Sequence, residues 1–155
     1  MVDIEFRAAR ADEAPLITGL ALRSKAHWGY DRHFMDAIRD ELTYSPEVCA
    51  SGTLVVAERA GRLLGFYRLI EGVPESRLES LFVDPLAIGT GVGRALLDRA
   101  LLAAEALGAR SVALDADPYA EPFYARFGAI RIGQIPSESI PGRMLPHMRF
   151  DLPGR

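Results

Sequence analysis

The sequence is poor in cysteine and histidine, and it has no long apolar run. Among its 155 residues Cys49 is the single cysteine, so neither an intrachain disulfide nor a cysteine-rich zinc site is expected. The three histidines, His27, His33 and His147, lie far apart in the sequence and give no metal-binding spacing. No uncharged stretch approaches the ~18 apolar residues that a membrane span needs. We therefore expect no metal site and no membrane partner, and we expect Cys49 to be a buried apolar residue rather than a nucleophile.

The sequence also lacks an excess of positive charge. Eighteen Lys and Arg residues stand against 21 Asp and Glu residues, a net charge of −3, whereas a nucleic-acid-binding domain is normally basic. Residues 1–7 contain acidic side chains where a signal peptide would have a basic segment followed by an apolar one. The hydrophobic share of 49% is ordinary for a globular protein. These features predict a single domain over residues 1–155, cytoplasmic and without a nucleic-acid partner.

The apolar spacing predicts a mixed α/β domain. A first helix is expected to begin at Asp12 and to break down after Ser24, and Asp31 is expected to cap a second helix that continues to Leu42. Residues 59–62 are a short glycine-bearing connection, which predicts an antiparallel hairpin. Residues 135–146 are expected to form a long loop that three prolines keep from regular pairing. The predicted strands are 4–6, 53–58, 63–70, 78–83, 112–114, 130–132 and 147–150. The other two helices are expected at 94–107, with an apolar stripe of Leu97, Leu101, Ala104 and Leu107, and at 119–127.

A glycine-rich turn at residues 89–93 follows the strand 78–83 and leads into the longest predicted helix. The first turn of a helix has backbone N–H groups without intrahelical partners, and glycine lets that backbone approach a phosphate. The turn lacks the Gly-Lys-Ser/Thr ending of an NTPase P-loop, because Arg94 and Ala95 follow Gly93. Its glycine spacing also differs from that of a dinucleotide-binding fingerprint. The remaining alternatives are another kind of phosphate site or a tight turn that binds nothing.

This segment resembles motif A of the GNAT superfamily of N-acetyltransferases, which use acetyl-CoA. That motif follows a strand ending in an apolar-x-Val-x-Pro pattern, as residues 81–85 do here. Gly91 and Gly93 match its two glycines, and 95–97 continue as family members usually do. The Arg/Gln position of the motif is occupied by Ile88, so a polar side-chain contact to the pyrophosphate is missing.

A second segment, residues 117–129, resembles motif B of the same family. Asp117 and Ala129 stand where Asn and Phe are usual. The matching residues are Ala120, Phe123, Tyr124 and Gly128. Together the two motifs cover the C-terminal half of the chain in the expected order.

The resemblance implies the GNAT fold, with a mostly antiparallel mixed sheet of about six to seven strands flanked by about four helices. It implies transfer of an acetyl group from acetyl-CoA to an amine of a small molecule or peptide, by direct attack in a ternary complex. A homodimer is a reasonable expectation. The alternatives are a non-catalytic CoA-binding or regulatory domain, and a dimerisation domain that binds no ligand. The residues implied to bind the co-substrate are Leu81, Phe82, Val83, Gly89, Thr90, Gly91, Val92, Gly93 and Arg94.

By the same resemblance, Tyr124 is the general acid that protonates the departing sulfur, and the alternative is a core tyrosine. Strand alternation places Glu79 on one face with Leu81 and Val83, where it is a candidate base. The alternatives for Glu79 are a solvated strand residue and a proton relay through water.

Residues 24–30 correspond to the loop that lines the acceptor pocket in this family. His27, Trp28 and Tyr30 are the candidate substrate-binding residues, since aromatic faces hold cations. The alternative is that Trp28 fills the core between two helices. The predicted loop at 135–146 either covers the substrate cleft, builds a dimer contact or is an ordered surface excursion.

Overall fold

A computed structural model describes residues 3–153. Residues 1 and 2, which belong to the acidic N-terminal segment contrasted above with a signal peptide, lie outside the described range. Within this range there are seven strands and five α-helices. The strands are β1 (Glu5–Ala8), β2 (Leu54–Arg59), β3 (Arg62–Ile70), β4 (Glu75–Val83), β5 (Ser111–Asp115), β6 (Ile130–Pro136) and β7 (Met144–Asp151). The helices are α1 (Ala14–Ala26), α2 (Arg32–Ile38), α3 (Pro46–Cys49), α4 (Val92–Ala106) and α5 (Glu121–Arg126). None of the helices in the described range is long and apolar enough to cross a membrane.

The strands form one mixed sheet in the order β1-β2-β3-β4-β5-β7-β6. β4 and β5 pair in parallel, with α4 as the connection between them. The pairs β1–β2, β2–β3, β5–β7 and β6–β7 are antiparallel. The predicted mixed α/β fold with a mostly antiparallel sheet is confirmed. Packing divides the chain into two units, one up to Arg68 with Ser80–Ala100 and one of Leu69–Glu79 with the chain from Leu101 onward.

In the first unit the β2–β3 hairpin is closed by two residues with positive φ. Ala60 has φ 51° and Gly61 has φ 79°, the combination of a type I′ turn that matches the twist of two antiparallel strands. The predicted hairpin is therefore confirmed. Its strands contribute Val56 and Phe66 to the core, and both are fully buried.

The start of α1 differs from the prediction. Glu13, rather than Asp12, occupies the N-cap position, and Glu13 is buried while Asp12 is exposed. The Glu13 carboxylate accepts two hydrogen bonds of 2.8 Å from Arg7. The helix also continues through Ser24 to Ala26. The Glu13 carboxylate is thus held by a strand arginine and makes no capping hydrogen bond to α1, so the expected side-chain cap is absent.

The following helices are partly as expected. Asp31 caps α2, since its carboxylate accepts a hydrogen bond of 2.8 Å from the Phe34 N–H. However, α2 ends at Ile38 rather than continuing to Leu42. The short helix α3 was not predicted, although Ser45 caps it through a 3.1 Å hydrogen bond from the Val48 N–H.

The end of α4 corrects the predicted apolar stripe. Leu97 and Ala104 are fully buried, but Leu107 is 42% exposed. The helix ends at Ala106, and Gly108 at φ 93° turns the chain away. Leu107 therefore lies beyond the last helical turn and leaves the buried face.

The expected loop at 135–146 is also wrong, because pairing of β6 with β7 reaches Pro136↔Met144 and Ile135↔Leu145. The connection shrinks to residues 137–143, where the Ser137 N–H donates a 2.8 Å hydrogen bond to the Arg143 carbonyl. Since β6 is the edge strand of the sheet, the missing N–H of Pro136 removes no necessary ladder bond. The roles expected for this segment stay predictions.

Candidate functional site

The end of β4 is anchored by Asp84. Its N–H donates a 2.8 Å hydrogen bond to the Leu64 carbonyl, and its carboxylate accepts hydrogen bonds from the Leu86 N–H at 3.0 Å and from Arg23 at 2.9 Å. Burial acts to raise the pKa of Asp84, but these two hydrogen bonds outweigh it and lower the pKa. The ionised Asp84 carboxylate thus holds the backbone directly after β4, in the segment that leads to the glycine turn.

The glycine turn, residues 89–93, presents an open backbone surface. Gly89 and Gly91 have φ values of 81° and 92°, and a Cβ added to either would meet nothing within 4 Å. The glycines are therefore required by the backbone conformation and not by crowding, and no side chain of the described residues blocks these two positions. Val92 opens the 15-residue helix α4 and is buried, which fixes the helix start beneath the turn. Such a helix start offers unpaired N–H groups and a positive dipole end to an anion.

The predicted β4 residues Leu81, Phe82 and Val83 are all half-buried. A Cβ added to Gly65 of β3 would stand 2.7 Å from the Phe82 carbonyl oxygen, so the two backbones approach closely at this point. The rings of Phe66 and Phe82 also pack 5.7 Å apart. The strand end beside the glycine turn is therefore held by the packing of β3.

The candidate acceptor residues lie around the end of α1. Trp28 is 40% exposed, so it does not fill the core, and its ring meets His27 edge-on at 6.3 Å. Tyr30 stacks on Phe34 at 3.8 Å. The Lys25 Nζ lies 5.7 Å from the Tyr30 ring centre. The His27 and Trp28 rings are exposed, whereas the face of the Tyr30 ring is already in contact with the Lys25 ammonium group.

Tyr124 on α5 is buried and packs among aromatic rings. It meets Phe123 edge-on at 5.2 Å and Phe150 at 6.4 Å. Burial, with the negative charge of Asp117, raises the pKa of Tyr124 well above its usual value. The phenol therefore keeps its proton at neutral pH, as a proton donor must, although a core tyrosine in this position would do the same.

Glu79 lies exposed on β4 between the buried residues Leu78 and Ser80, which agrees with the expected alternation of faces. The same face carries three residues that sequence reasoning missed. His147 Nδ1 lies 2.7 Å from an Asp115 carboxylate oxygen, and Arg77 donates a 2.7 Å hydrogen bond to the other oxygen. Asp115 is 32 positions from His147 and 38 positions from Arg77 along the chain, so strand pairing is what brings these residues together.

Comparison with known proteins identifies the family. The family model described as an acetyltransferase (GNAT) domain matches residues 15–139. A search of the curated proteins finds no match.

Solved structures with the same fold are numerous. A GCN5-related N-acetyltransferase from Rhodopseudomonas palustris is 22% identical, with a TM-score of 0.81 and 98% of each chain covered. PaiA N-acetyltransferase from Thermoplasma acidophilum, in complex with coenzyme A, is 19% identical, with a TM-score of 0.77 over 96% of this chain and 99% of that one. N-acetylglutamate synthase from Neisseria gonorrhoeae, complexed with coenzyme A and N-acetyl-glutamate, is 17% identical, with a TM-score of 0.67 over 98% of this chain and 36% of that one.

These structures share the fold of this chain, and the family match extends over most of its length. The sequence motifs, the mixed sheet and the strand–glycine turn–helix arrangement agree with that match. The chain belongs to the GNAT acetyltransferase family.

Proposed function

We propose that this protein transfers an acetyl group from acetyl-CoA to the amine of a small molecule or peptide, by direct attack in a ternary complex. The observation that carries the proposal is the open glycine turn at the start of α4, where Gly89 and Gly91 leave the backbone accessible. A diphosphate carries the charge that such a helix start attracts. The coenzyme A complex of PaiA, a protein of the same fold, supports a CoA-type co-substrate.

The backbone of the turn and of the strand end would hold the co-substrate. The N–H groups of residues 89–94 cradle the pyrophosphate, and those of Leu81, Phe82 and Val83 bond the pantetheine arm and the acetyl carbonyl. Ile88, which is 46% exposed, offers no polar group, so backbone donors and the side chain of Arg94 carry the anion alone. Binding should therefore weaken with rising salt.

The reaction removes two protons from the acceptor nitrogen and supplies one to the departing sulfur. The acceptor ammonium loses a proton, the amine nitrogen attacks the thioester carbonyl carbon, and the C–S bond of the tetrahedral intermediate breaks. The departing thiolate takes a proton from the Tyr124 hydroxyl, which burial keeps protonated, and the second proton of the attacking nitrogen then restores that hydroxyl. A thiolate released into a dry site is a stronger base than in water, which favours this transfer.

The acceptor is proposed to be cationic before it reacts. His27, Trp28 and Tyr30 offer rings to an ammonium group, and the exposed carboxylate of Glu79 attracts it and is a candidate to receive its proton. The N-acetylglutamate synthase with a region of the same fold is complexed with a small acylated molecule, N-acetyl-glutamate, which supports a small-molecule amine as acceptor. A homodimer and a cytoplasmic location stay predictions.

The test is thiol release from acetyl-CoA with a panel of alkylamines, polyamines, amino acids and short peptides, with mass spectrometry of the product. We expect at least one amine to gain an acetyl group. Tyr124→Phe should lower kcat by about 10²-fold or more and leave acetyl-CoA affinity unchanged. Phe123→Leu, a change beside it on α5, is the packing control. Acetyl-CoA binding without acetylation of any amine would instead support a non-catalytic CoA-binding domain.

A further inference from the structure

Three side chains from three neighbouring strands meet on the face of the sheet that carries Glu79. β4 and β5 pair at Arg77↔Ala113, and β5 and β7 pair at Asp115↔His147. Directly paired residues share a face of the sheet. The Asp115 carboxylate therefore lies between the His147 ring and the Arg77 guanidinium, each 2.7 Å away. We call these three residues the polar triad.

The ionised Asp115 carboxylate determines that Nδ1 of His147 carries a hydrogen. Burial acts to raise the pKa of Asp115, but the hydrogen bonds from Arg77 and His147 outweigh it and lower the pKa. An ionised carboxylate only accepts hydrogen bonds, so Nδ1 of His147 carries the hydrogen, and in the neutral ring of this tautomer Nε2 is the acceptor. The His147 side chain is 33% exposed, so a ligand can approach it.

The charged groups on this face come from three strands. β5 contributes Asp115, β4 contributes Arg77 and Glu79, and β7 itself contributes Arg149, which pairs with Ala113. The edge strand β6 places Gly133 opposite His147 and so adds no titratable side chain at that position. Glu75 of β4 and Asp151 of β7, which both pair with Ser111, lie farther along the same face. Of these groups Asp115 is the one hydrogen-bonded to the histidine.

The polar triad lies on the opposite side of β7 from Tyr124. Phe150 packs against the Tyr124 ring and pairs with Val112 of β5, one place from the pair that carries Arg149 and three places from the pair that carries His147. Side chains alternate between faces along a strand, so Phe150 and His147 point to different faces. In the tetrahedral intermediate the nitrogen and the sulfur leave one carbon in different directions, so a base and an acid can act on it from different faces of the sheet.

Resting on the proposed function, we propose that His147 is the general base, that Asp115 is its positioning residue, and that Glu79 attracts the ammonium without taking its proton. Nε2 of His147 takes one proton from the acceptor ammonium, and the nitrogen lone pair so released forms the bond to the acetyl carbon. The C–S bond breaks, and the thiolate takes its proton from Tyr124. The nitrogen then gives up its second proton, which restores the Tyr124 hydroxyl through water, and the imidazolium returns its proton to water. The cycle therefore converts acetyl-CoA and the acceptor ammonium into amide, CoA and one proton.

The test compares pH profiles of kcat/KM for the wild type and variants, with the best alkylamine from the panel and a weakly basic aromatic amine. We expect His147→Gln to lower kcat/KM for the alkylamine about 10²-fold or more. The loss should be much smaller for the aromatic amine, which needs no base because it is already neutral. His33→Gln, a change at an exposed residue of α2, is the matched control and should change neither value.

Two further variants distinguish a base from a structural residue. Asp115→Asn should move the acid limb of the profile to lower pH, because a negative charge beside the imidazolium is lost. Arg77→Gln removes a positive charge from a half-exposed site and should move the limb to higher pH. The Arg77 variant keeps the test open if a change at Asp115 or His147 prevents folding, which circular dichroism and acetyl-CoA titration reveal.

An acid limb that survives His147→Gln, disappears in Glu79→Gln, or stays in place in Arg77→Gln would overturn the inference. Equal losses with both amines would do the same. A wild-type protein that acetylates no amine would instead overturn the proposed function itself, so the two failures are distinguishable.

Discussion

Replacing Gly65 by alanine tests how closely β3 approaches the end of β4. The added Cβ would stand 2.7 Å from the Phe82 carbonyl oxygen, 2.8 Å from Leu96 Cδ1 and 3.3 Å from the Val83 Cα. Two of these three atoms belong to the backbone, which cannot move aside by a side-chain rotation. Overpacking of a well-filled core costs ~1–3 kcal/mol, and the rigid neighbours put this site near the upper end of that range.

The expected loss of about 3 kcal/mol corresponds to a Tm roughly 6–12 °C lower for a chain of this size. Thermal unfolding followed by circular dichroism measures it. Gly133→Ala on β6 is the matched control, because its added Cβ would meet nothing within 4 Å and alanine restricts the unfolded chain. The control should melt within ~2 °C of the wild type or slightly above it.

Because Gly65 lies against Phe82 and Val83, the alanine should also displace the strand end proposed to bind the acetyl and pantetheine groups. Acetyl-CoA affinity should then fall in Gly65→Ala and stay unchanged in Gly133→Ala. A Gly65→Ala protein as stable as the control would refute the close approach of the two strands.

Three further predictions concern stability and reactivity. Hydrogen bonds from Arg7 outweigh burial and lower the pKa of Glu13. The ionised Glu13 carboxylate therefore stabilises the folded state above the ordinary pKa of a glutamate, and this stabilisation is lost as the pH falls through the lowered pKa of the folded state. Arg7→Met should therefore cost about 2 kcal/mol in urea unfolding at neutral pH, and the difference should shrink below pH ~4. Ala60→Gly should raise stability by up to ~1 kcal/mol, because Ala60 is held at φ 51°. Burial raises the pKa of the Cys49 thiol, so a thiol reagent should label Cys49 only as fast as the protein opens.

The elements that the sequence predicts well are those with local causes. The Asp31 cap acts on the Phe34 N–H three residues away, and the β2–β3 turn needs only two adjacent residues with positive φ. The glycine turn is equally local, because Gly89 and Gly91 are required by their own backbone conformation. Short-range patterns suffice wherever the physical cause lies within a few residues.

The features that the sequence does not predict depend on distant partners. Glu13 occupies the N-cap position of α1 in place of Asp12, and its carboxylate binds Arg7 of β1 instead of capping the helix. Pro136 pairs in β6 because that strand lies at the sheet edge, which no local pattern reveals. The spacing of the histidines gives His147 no metal-binding role, and its partner Asp115 becomes its neighbour only through the pairing of β5 and β7.

The roles of the site residues are a different matter. The confirmed family and fold do not by themselves assign an acid, a base or an acceptor pocket, so Tyr124, Glu79 and the aromatic segment stay proposals. For Trp28 the structure excludes one alternative, because a side chain that is 40% exposed does not fill the core between two helices.

The most direct test of the central claim is a calorimetric titration of the purified protein with acetyl-CoA, with NAD as the comparison ligand. The account predicts micromolar binding of acetyl-CoA, about −8 kcal/mol, and no binding of NAD. Gly91→Val should weaken acetyl-CoA binding at least tenfold, ~1.4 kcal/mol. Gly52→Val, which imposes comparable strain at φ 87° in an open position outside the turn, should not. A wild-type protein that binds no acetyl-CoA would contradict the account, and the glycine turn would then be only a turn.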